Sequence, residues 1–543
     1  MKYILKGNND FSSPMDTILR NRGVTWDLFN LDINTLEDYN HYDNIDLAVE
    51  TLIKHINNNS KIIVVGDCDV DGITSSTILL DYINKTFNYK NIILKIHKEK
   101  KHGLSDDIEI DEDVRLIILP DASSNDYEQH SYYKSKGIDI IVLDHHPADK
   151  ISENAVVINN RLSEKVKTKE LSGAGVVYMF LKALDDYLFQ ELADNYLDLV
   201  SIGNVGDVID LKEPCTRYLV KKGIENINNT FLKALIDTYS FELDNKYNIN
   251  KIGWVICPKL NGTIRSGEFS LKEKLYQAFL SDNYEFCLEV AKQCKNAKAT
   301  QDNSIKTALP KIEKTVSLKP EDRCVFIEVD DKLQSEHIGL VANKLQEKYG
   351  VNAVLFKKIN NEEYGGSARG NSNLTESFKD DIKNSGLFTF TEGQPNAFGI
   401  GFKKENINTI KQYVNELYKD KEVISGKTYV VDFIIEEKDI DYNILNEIAQ
   451  YEDEWGNKLD EPLICFKDLN VYLDENNIKG TKSKNLVFEI NGVKFIKKYL
   501  TNIIKDKVLE ENYINLNCIG KCTNNIYNNN SYLQIEIVDL EIQ

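Results

Sequence analysis

The chain has 543 residues, a formal net charge of −20 and 42% hydrophobic residues. A chain of this length exceeds what one hydrophobic core supports, so we expect roughly three or four domains. The acidic balance excludes a protein that coats nucleic acid through its global charge, although a local basic groove stays compatible with it.

The first 55 residues are polar and are predicted to be mostly helical. Residues 43–56, DNIDLAVETLIKHI, place apolar side chains at helical spacing. We therefore interpret residues 1–55 as a helical lead-in. The opening residues contain no long apolar segment, and no stretch reaches the roughly 18 apolar residues of a membrane span. We expect a cytoplasmic protein without membrane contact.

Short apolar runs alternate with helical patterns over residues 56–215. The runs are KIIVV, NIILKIH, VRLIILP, IDIIVL and AVVIN. Fully apolar runs separated by helices are typical of a parallel sheet that is covered on both faces. This segment is therefore predicted to be an α/β domain.

The remaining chain predicts three further segments. Residues 216–320 look like a helical, lysine-rich connector, and residues 321–425 look like a smaller α/β domain. From residue 426 to 543, short strands alternate with polar turns, which is typical of a small barrel resembling an OB-fold. The predicted fold class is α/β, with a parallel-sheet domain, a smaller α/β domain joined by a long helix, and a C-terminal β-barrel.

Acidic and imidazole side chains follow three of the predicted strands, and one more follows a helical segment. They are Asp67, Asp69, Asp71, Asp121, Asp144, His145, His146 and Asp207. In open parallel sheets, ligands bind beyond the carboxyl ends of the strands. So many carboxylates at one edge repel one another unless cations lie between them.

Calcium loops and helix caps also use aspartates of this kind. The hexapeptide DCDVDG at residues 67–72 matches the start of a calcium loop, but the twelfth position, which requires glutamate, is Ile78. A strand-end aspartate commonly caps the next helix. Capping explains one such residue well, but it explains four of them in register poorly. Oxygen-rich sites with one imidazole favour Mn²⁺ or Mg²⁺ over zinc, and two such ions about 4 Å apart suit phosphoester hydrolysis.

The motifs together resemble the DHH phosphoesterase superfamily, and within it the RecJ-like exonucleases that act on single strands. The motifs that carry the resemblance are GDCDVDGITSS, LPDASS, LDHHP, LSGAGVVY, GNVGDVIDL, PKLNGTIRSG, EHIGLVANKLQEKYGVNAVLF, GGSARG and YEDEWGNKLDEPLICF, in this order. Each motif is short, but the ordered set spans nearly the whole chain and is specific.

The resemblance implies the ligands of two divalent ions, Mn²⁺ or Mg²⁺. The first ion would be held by Asp67, Asp69 and Asp121. The second would be held by Asp71, Asp121, His145 and Asp207, with Asp121 bridging the two ions. His146 would contact the scissile phosphate or assist the leaving group, and Asp144 would orient the histidines.

The resemblance also implies residues that bind the substrate. In GGSARG, Gly366 would allow close backbone approach, Ser367 would donate a hydrogen bond and Arg369 would bind a phosphate. Arg265 is a second candidate for contact with the strand backbone. Gln394 stands where relatives usually carry a histidine, and a glutamine donates a hydrogen bond but carries no charge or proton.

The resemblance therefore implies a metal-dependent exonuclease that degrades single-stranded DNA from the 5′ end in repair, recombination or replication. One alternative is a phosphodiesterase for short oligonucleotides or cyclic dinucleotides, and another is a catalytically inactive DNA-binding scaffold. The expected partners are single-stranded DNA and a single-strand-binding protein or a helicase, and the chain is expected to be a monomer.

Overall fold

The computed structural model describes residues 1–98, 101–104, 108–265, 268–330, 333–423, 426–480, 484–510, 513–527 and 530–543. The described part of the chain forms four sheets. Its N-terminal elements are β1 (Lys2–Leu5), α1 (Pro14–Arg22) and α2 (Ile45–Asn57). None of the helices in this described part combines the length and the apolar character needed to cross a membrane.

A five-stranded sheet forms the centre of the first large unit. Its strands are β2 (Lys61–Gly66), β3 (Ile92–Ile96), β4 (Val114–Pro120), β5 (Asp139–Asp144) and β6 (Val156–Asn159). All neighbours pair in parallel, in the order β3-β2-β4-β5-β6. Ile62 and Val64 enter one hydrophobic core, whereas Ile63 and Val65 enter another on the opposite face. The predicted parallel sheet, covered on both faces, is confirmed.

The helices of this unit connect the strands, and the order of the strands creates a crevice at one edge of the sheet. They are α3 (Val70–Phe87), α4 (Tyr127–Ser135), α5 (Gly173–Leu188) and α6 (Leu197–Gly206). Because β3 lies on one side of β2 and β4 on the other, the winding of the sheet reverses between β2 and β4. Such a reversal opens a crevice at the carboxyl ends of the two strands, where Asp67 and Asp121 are located.

A helical segment connects the first unit to the second. It contains α7 (Pro214–Glu225), α8 (Thr230–Thr238), α9 (Ser240–Leu243), α10 (Ile249–Lys251), a π-helical turn (Ile252–Ile256), α11 (Cys257–Ile264), α12 (Phe269–Phe279) and α13 (Tyr284–Glu313). The long helix α13 joins both units, since Val290 packs in the core of the first and Ile305 in the core of the second.

The second unit is a smaller α/β structure. Its elements are β7 (Cys324–Glu328), α14 (Ser335–Tyr349), β8 (Asn352–Lys358), β9 (Glu363–Arg369), α15 (Phe378–Lys383), β10 (Phe388–Gln394), β11 (Ala397–Lys403) and α16 (Ile407–Leu417). The strands lie in the order β10-β11-β9-β8-β7. Strands β7 and β8 are parallel, whereas the remaining pairs are antiparallel.

The C-terminal segment forms a sheet domain, and its predicted resemblance to an OB-fold barrel stays a prediction. Its elements are β12 (Thr428–Val431), β13 (Phe433–Glu436), α17 (Tyr442–Gln450), β14 (Ile464–Tyr472), β15 (Ile478–Lys479), β16 (Asn485–Ile490), β17 (Val493–Lys497), α18 (Asn502–Glu510), β18 (Tyr513–Tyr527) and β19 (Asn530–Ile542). Seven of its strands form one sheet in the order β13-β14-β18-β19-β17-β16-β15.

The N-terminal lead-in differs from its prediction in two respects. Lys2–Leu5 is a strand rather than a helix, because it pairs in parallel with β12, a strand from the far end of the chain. Met15 and Leu28 pack in the core of the C-terminal sheet with residues such as Phe433. A pairing between segments so distant in sequence leaves no local pattern from which it could have been predicted.

Candidate metal centre

The loop between β2 and α3 positions the first three aspartates. Asp67 directly follows β2, and Asp69 caps α3 by accepting a 3.0 Å hydrogen bond from the backbone N–H of Gly72. Asp71 lies in the first turn of this helix. A Cβ atom on Gly72 would lie 2.6 Å from the Cβ of Asp67, so glycine is required for the turn to close over Asp67.

The N-terminus of α5 holds the carboxylate of Asp71. The backbone N–H groups of Gly173 and Ala174 donate to its two oxygens at 2.6 and 3.0 Å, as expected where unpaired N–H groups and the helix dipole favour an anion. A Cβ on Gly173 would lie 2.5 Å from Asp121 Oδ1, and one on Gly203 would lie 2.4 Å from Asp71 Oδ1. Glycines thus let two helices approach the carboxylates closely.

Asp121 leaves β4 in a left-handed backbone conformation. Its φ is +67°, a value that aspartate tolerates better than most residues other than glycine. Its backbone N–H donates to the carbonyl of Leu143 at 2.8 Å, which keeps the ends of β4 and β5 together. The side chain is buried and lies in the crevice between the strands.

Asp144 organises the two histidines at the end of β5. Its Oδ1 accepts hydrogen bonds from the backbone N–H groups of His145 at 2.8 Å and His146 at 3.1 Å. The same oxygen lies 2.8 Å from Nδ1 of His146, while Oδ2 accepts a 2.9 Å bond from the N–H of Ser124. Asp144 therefore has the contacts expected of a residue that orients both imidazoles.

The imidazole of His145 faces three carboxylates. Its Nε2 lies 3.2 Å from Asp121 Oδ1, 3.7 Å from Asp207 Oδ2 and 3.8 Å from Asp71 Oδ2. Asp207 directly follows α6 and is the C-cap of that helix. It therefore arrives from a different element than the strand-end residues and completes one side of the cluster.

The side chains form three overlapping groups with the spacing of metal ligands. Within each group, one potential ligand atom per residue lies within 4.8 Å of the others. The groups are Asp67–Asp69–Asp121, Asp71–His145–Asp207 and Asp121–Asp144–His145–His146. All eight residues singled out in the sequence are thus brought together, and their assignment as ligands stays a prediction.

The donor atoms at the centre of the cluster are buried and have no hydrogen-bond partner among the described residues. They are Oδ1 of Asp67, Oδ1 of Asp121, and Nδ1 and Nε2 of His145. An unsatisfied buried carboxylate oxygen is costly unless it is paired or coordinates a metal. The donor set, mostly oxygen with one imidazole, fits Mn²⁺ or Mg²⁺.

Protonation equilibria support the same interpretation. Burial raises the pKa values of Asp67, Asp71 and Asp121, and the neighbouring aspartates raise that of Asp121 further. Burial, Asp71 and Asp69 raise the pKa of Asp207 to about 8. In the absence of cations the cluster would therefore bind protons, and divalent cations would displace them.

His146 and Asp144 show the opposite balance. Burial by itself would lower the pKa of His146, but the Asp144 hydrogen bond and the surrounding carboxylates raise it to about 9. Burial would likewise raise the pKa of Asp144, but His146 and the charge of His145 hold it well below its usual range. With Nδ1 turned to Asp144, an imidazole that is 53% exposed presents its Nε2 as a donor.

The predicted phosphate-binding motif GGSARG lies in strand β9, so Gly366, Ser367 and Arg369 belong to a strand rather than to a loop. A Cβ on Gly339 of α14 would lie 2.3 Å from Nη2 of Arg369 and 3.4 Å from Oγ of Ser367, so this glycine makes room for both side chains. Burial and the charge of Arg265 lower the pKa of Arg369 to about 10. Two half-buried guanidinium groups thus lie close together, and neither forms an ion pair with a described carboxylate.

Arg265 connects this motif to the metal centre electrostatically. Burial lowers its pKa, and the charge of Asp69 acts in the opposite direction. It follows the end of α11, and the two residues after it in the predicted motif, Ser266 and Gly267, lie outside the described residues. Arg265 therefore interacts electrostatically with both Asp69 and Arg369.

Gln394 lies on the same row of the second sheet as Arg369. It pairs with Ala397 across β10 and β11, and Ala397 pairs with Arg369 across β11 and β9. Its side chain is exposed. The sheet therefore separates Gln394 from Arg369 by one strand, while Gly366 lies further back along β9, on the N-terminal side of Arg369.

Sequence reasoning missed two residues that contact the cluster. Nδ1 of His102 lies 2.6 Å from Oδ2 of Asp67, and Nε of Arg161 donates a 2.9 Å hydrogen bond to the carbonyl of His145. His102 follows a polar stretch between β3 and β4, with no strand end to mark it. The sequence offered only a turn signal beside it, Gly103, whose φ in the structure is +59°.

Comparisons with known proteins agree with this geometry. The model of the DHH family, N-terminal domain, matches residues 61–204. YorK, the putative SPbeta prophage-derived single-strand DNA-specific exonuclease of Bacillus subtilis (strain 168), is 34% identical over 570 residues, which cover 100% of this chain and 98% of YorK. The single-stranded-DNA-specific exonuclease RecJ of the same organism is 23% identical over 70% of this chain and 49% of RecJ.

A solved structure shares the fold over the full length of the chain. It is RecJ from Thermus thermophilus in complex with Mn²⁺, with a TM-score of 0.74, 18% sequence identity, and coverage of 100% of this chain and 78% of that one. The likeness confirms the predicted arrangement of the DHH sheet, the second α/β unit and the C-terminal sheet domain.

Proposed function

The chain belongs to the family of RecJ-like exonucleases within the DHH proteins, and from this premise we propose that it is a metal-dependent exonuclease that hydrolyses single-stranded DNA. The observation that supports this proposal best is the set of buried donor atoms on Asp67, Asp121 and His145 that form no hydrogen bond among the described residues. These atoms converge at the switch point of a parallel sheet, beside two guanidinium groups that form no ion pair with a described carboxylate.

The proposed ligand sets follow the groups in the structure. Asp67, Asp69 and Asp121 would hold one divalent ion, and Asp71, Asp121, His145 and Asp207 the other. When bound, such ions supply Lewis acidity to a phosphoryl oxygen and lower the pKa of water. Asp71 is held in place for this role by the two N–H groups of α5.

The remaining site residues would act on the substrate directly. His146 would donate its Nε2–H to the scissile phosphate or to the leaving oxygen, and Asp144 would hold it in that orientation. Arg369 and Ser367 would bind a neighbouring phosphate, with Gly366 allowing the strand to approach. Arg265 would contact the backbone between the two sites.

The proposal also covers the strand end at which digestion starts and the cellular process in which the chain acts. Digestion from the 5′ end rests on the family resemblance, and Gln394 would weaken charge-dependent recognition of the strand terminus relative to a histidine. We place the chain in the cytoplasm as a monomer, acting in repair, recombination or replication with a single-strand-binding protein or a helicase.

The test uses oligonucleotides labelled at the 5′ or the 3′ end, single-stranded or duplex, incubated with Mn²⁺ or Mg²⁺. We expect single strands to be shortened from the 5′ end and EDTA to abolish the reaction. Asp121→Ala and His145→Ala should each lower the rate by at least about 100-fold. Digestion at the wild-type rate by both variants would refute the assignment.

The two alternative functions give different results in the same assay. A phosphodiesterase for short oligonucleotides or cyclic dinucleotides would cleave dinucleotides faster than strands of about 20 nucleotides. An inactive scaffold would bind the labelled strand without shortening it under any metal condition. The C-terminal sheet domain favours a longer substrate, since a dinucleotide needs no second surface.

A further inference from the structure

A buried asparagine lies beside the two histidines of the metal centre. Asn159 is the last residue of β6, the strand at one edge of the first sheet, and it pairs in register with Asp144 at the end of β5. Its side chain is 1% exposed. A buried amide needs partners for two N–H donors and one carbonyl acceptor, so the direction in which Asn159 donates is informative.

All hydrogen-bonding groups of the Asn159 side chain have partners. Its Nδ2 donates 2.9 Å hydrogen bonds to the carbonyl of His146 and to Oγ of Ser124. Its Oδ1 accepts hydrogen bonds from the backbone N–H groups of Arg161 at 2.8 Å and Leu162 at 3.3 Å. The acceptor therefore stabilises the turn that follows β6, whereas the donors reach the segments that follow β4 and β5.

The hydrogen bond to His146 completes a frame around that residue. Oδ1 of Asp144 accepts from the backbone N–H of His146 and lies 2.8 Å from Nδ1 of its ring. Asn159 binds the carbonyl on the other side of the same residue. The imidazole itself is 53% exposed, so its position depends on these hydrogen bonds more than on packing.

Ser124 connects the two side chains that hold His146. Its backbone N–H donates to Oδ2 of Asp144 at 2.9 Å, and its Oγ accepts from Asn159. Ser124 is 2% exposed and Asp144 is 1% exposed. A buried network in which the polar groups are satisfied is rigid and specifies one arrangement. The ends of β4, β5 and β6 are thereby held together around His146.

We propose that Asn159 is a positioning residue for the hydrolysis of the phosphodiester bond: by binding the carbonyl of His146, it fixes the place from which Nε2 of that histidine reaches the scissile phosphate or the leaving oxygen. The inference rests on the proposed nuclease function and adds a residue to it. A misplacement of a reacting group by about 1 Å can lower a rate by about 100-fold.

Asn159→Asp tests the donor side of the amide selectively. Aspartate has nearly the same shape, and one of its oxygens still accepts from the backbone after β6, but the other replaces both N–H donors with an acceptor. That oxygen repels the carbonyl of His146, whereas the hydroxyl of Ser124 can turn and donate to it. We expect kcat for labelled single strands to fall by at least about 10-fold and KM to change by less than about threefold.

Asn160→Asp is the matched control. Asn160 is 0% exposed, and its Nδ2 donates to the carbonyls of Thr168 at 3.1 Å and Lys169 at 2.9 Å, away from the histidines. Because both variants remove donors from buried carbonyl groups, both should lower the Tm. Well below the Tm, Asn160→Asp should keep kcat within about twofold of the wild-type value.

A double-mutant cycle with His146→Ala identifies the residue through which Asn159 acts. In the His146→Ala background, Asn159→Asp should change the single-turnover rate, measured with enzyme in excess, by less than about twofold. Calorimetry of Mn²⁺ binding gives a readout that does not depend on activity. The Kd of Asn159→Asp for Mn²⁺ should stay within about threefold of the wild-type value, since His146 is not among the proposed ligands.

The outcomes separate the positioning role from the proposed function. If the wild-type chain with Mn²⁺ does not hydrolyse single strands, the proposed function fails and the positioning role fails with it. If the wild type is active but Asn159→Asp has the kcat of Asn160→Asp, the positioning role is refuted and the proposed function is unaffected. The same conclusion follows if the decrease persists without His146, or if Asn159→Asp loses Mn²⁺ affinity. A lower kcat that disappears in the His146→Ala background, with Mn²⁺ affinity unchanged, supports the role.

Discussion

Asp67 has two carboxylate oxygens in different environments. Oδ2 lies 2.6 Å from His102, whereas Oδ1 is buried, has no partner among the described residues and faces the cluster. Such a division orients a ligand, because the outer contact leaves the inner oxygen free for a cation. His146 and Asp144 form a comparable pair on the other side of the site. In that pair the carboxylate of Asp144 orients the imidazole of His146.

The His102 contact leads to a prediction about metal affinity. His102→Ala should raise the Mn²⁺ concentration needed for half-maximal activity by about 10-fold to 100-fold, because Asp67 then loses the partner that fixes its orientation. Activity at saturating Mn²⁺ should fall less. The measurements are a Mn²⁺ titration of the nuclease rate and direct calorimetry of Mn²⁺ binding.

His102→Gln provides the matched control. A glutamine keeps a hydrogen-bond donor near Oδ2 of Asp67 and should restore part of the affinity. If the alanine variant has the wild-type Mn²⁺ dependence, His102 does not orient Asp67.

Helix α14 and strand β9 meet at Gly339, where a Cβ atom would lie 2.3 Å from Nη2 of Arg369. Gly339 lies directly against the ends of Arg369 and Ser367, so the packing of this helix determines where these two side chains of β9 place their donor groups. In the proposed function, the backbone of the second unit would thus contribute to substrate binding.

Gly339→Ala tests this arrangement. The new methyl group would displace the guanidinium of Arg369, and losing a charged hydrogen bond of about 1.5–3 kcal/mol should raise KM for single strands by at least about 10-fold. We expect kcat to change less, since the metal centre is untouched. Steady-state kinetics on labelled strands measures both quantities.

A second glycine of the same unit serves as the control. A Cβ on Gly399 of β11 meets no atom closer than 3.7 Å, so Gly399→Ala should be accommodated with KM unchanged. Equal KM values for Gly339→Ala and the wild type would show that Arg369 does not depend on this packing.

In the folded molecule, four carboxyl groups of the acidic cluster have raised pKa values. They belong to Asp67, Asp71, Asp121 and Asp207. Because these values are higher in the folded than in the unfolded chain, the folded state binds more protons, and stability is lost as the pH rises toward and through the pKa of Asp207, about 8. Divalent cations replace the protons and should remove this loss.

We therefore predict a pH-dependent stabilisation by Mn²⁺. In EDTA the Tm should fall between about pH 6 and about pH 8.5, and the increase in Tm caused by Mn²⁺ should be larger at the higher pH. Thermal scans with and without Mn²⁺ at both pH values measure this. Asp207→Asn should flatten the EDTA curve, whereas an unchanged slope would contradict the assignment of the effect to this cluster.

The assembly of the three units also positions surfaces that no single unit contains. Met15 and Leu28 pack in the core of the C-terminal sheet domain, and a cleft of about 910 Å³ is lined by residues of both the connector and that domain. Arg265 and Arg369 likewise come from the connector and the second unit. The substrate contacts proposed outside the metal centre therefore need residues from more than one unit.

The sequence by itself predicted the parallel sheet and the eight residues that the structure brings together at its edge. This was feasible because strands of a buried parallel sheet are apolar throughout, so an aspartate at a strand end is conspicuous, and because such ends meet at one edge. The assignment of GGSARG to phosphate binding came from its place in the ordered set of motifs and stays a prediction.

Only the tertiary structure decided the contacts between distant segments. The pairing of Lys2–Leu5 with β12, the His102–Asp67 contact and the space that Gly339 leaves for Arg369 each depend on which surfaces meet after folding. Local patterns record the period and polarity of an element but carry no information about its distant partner.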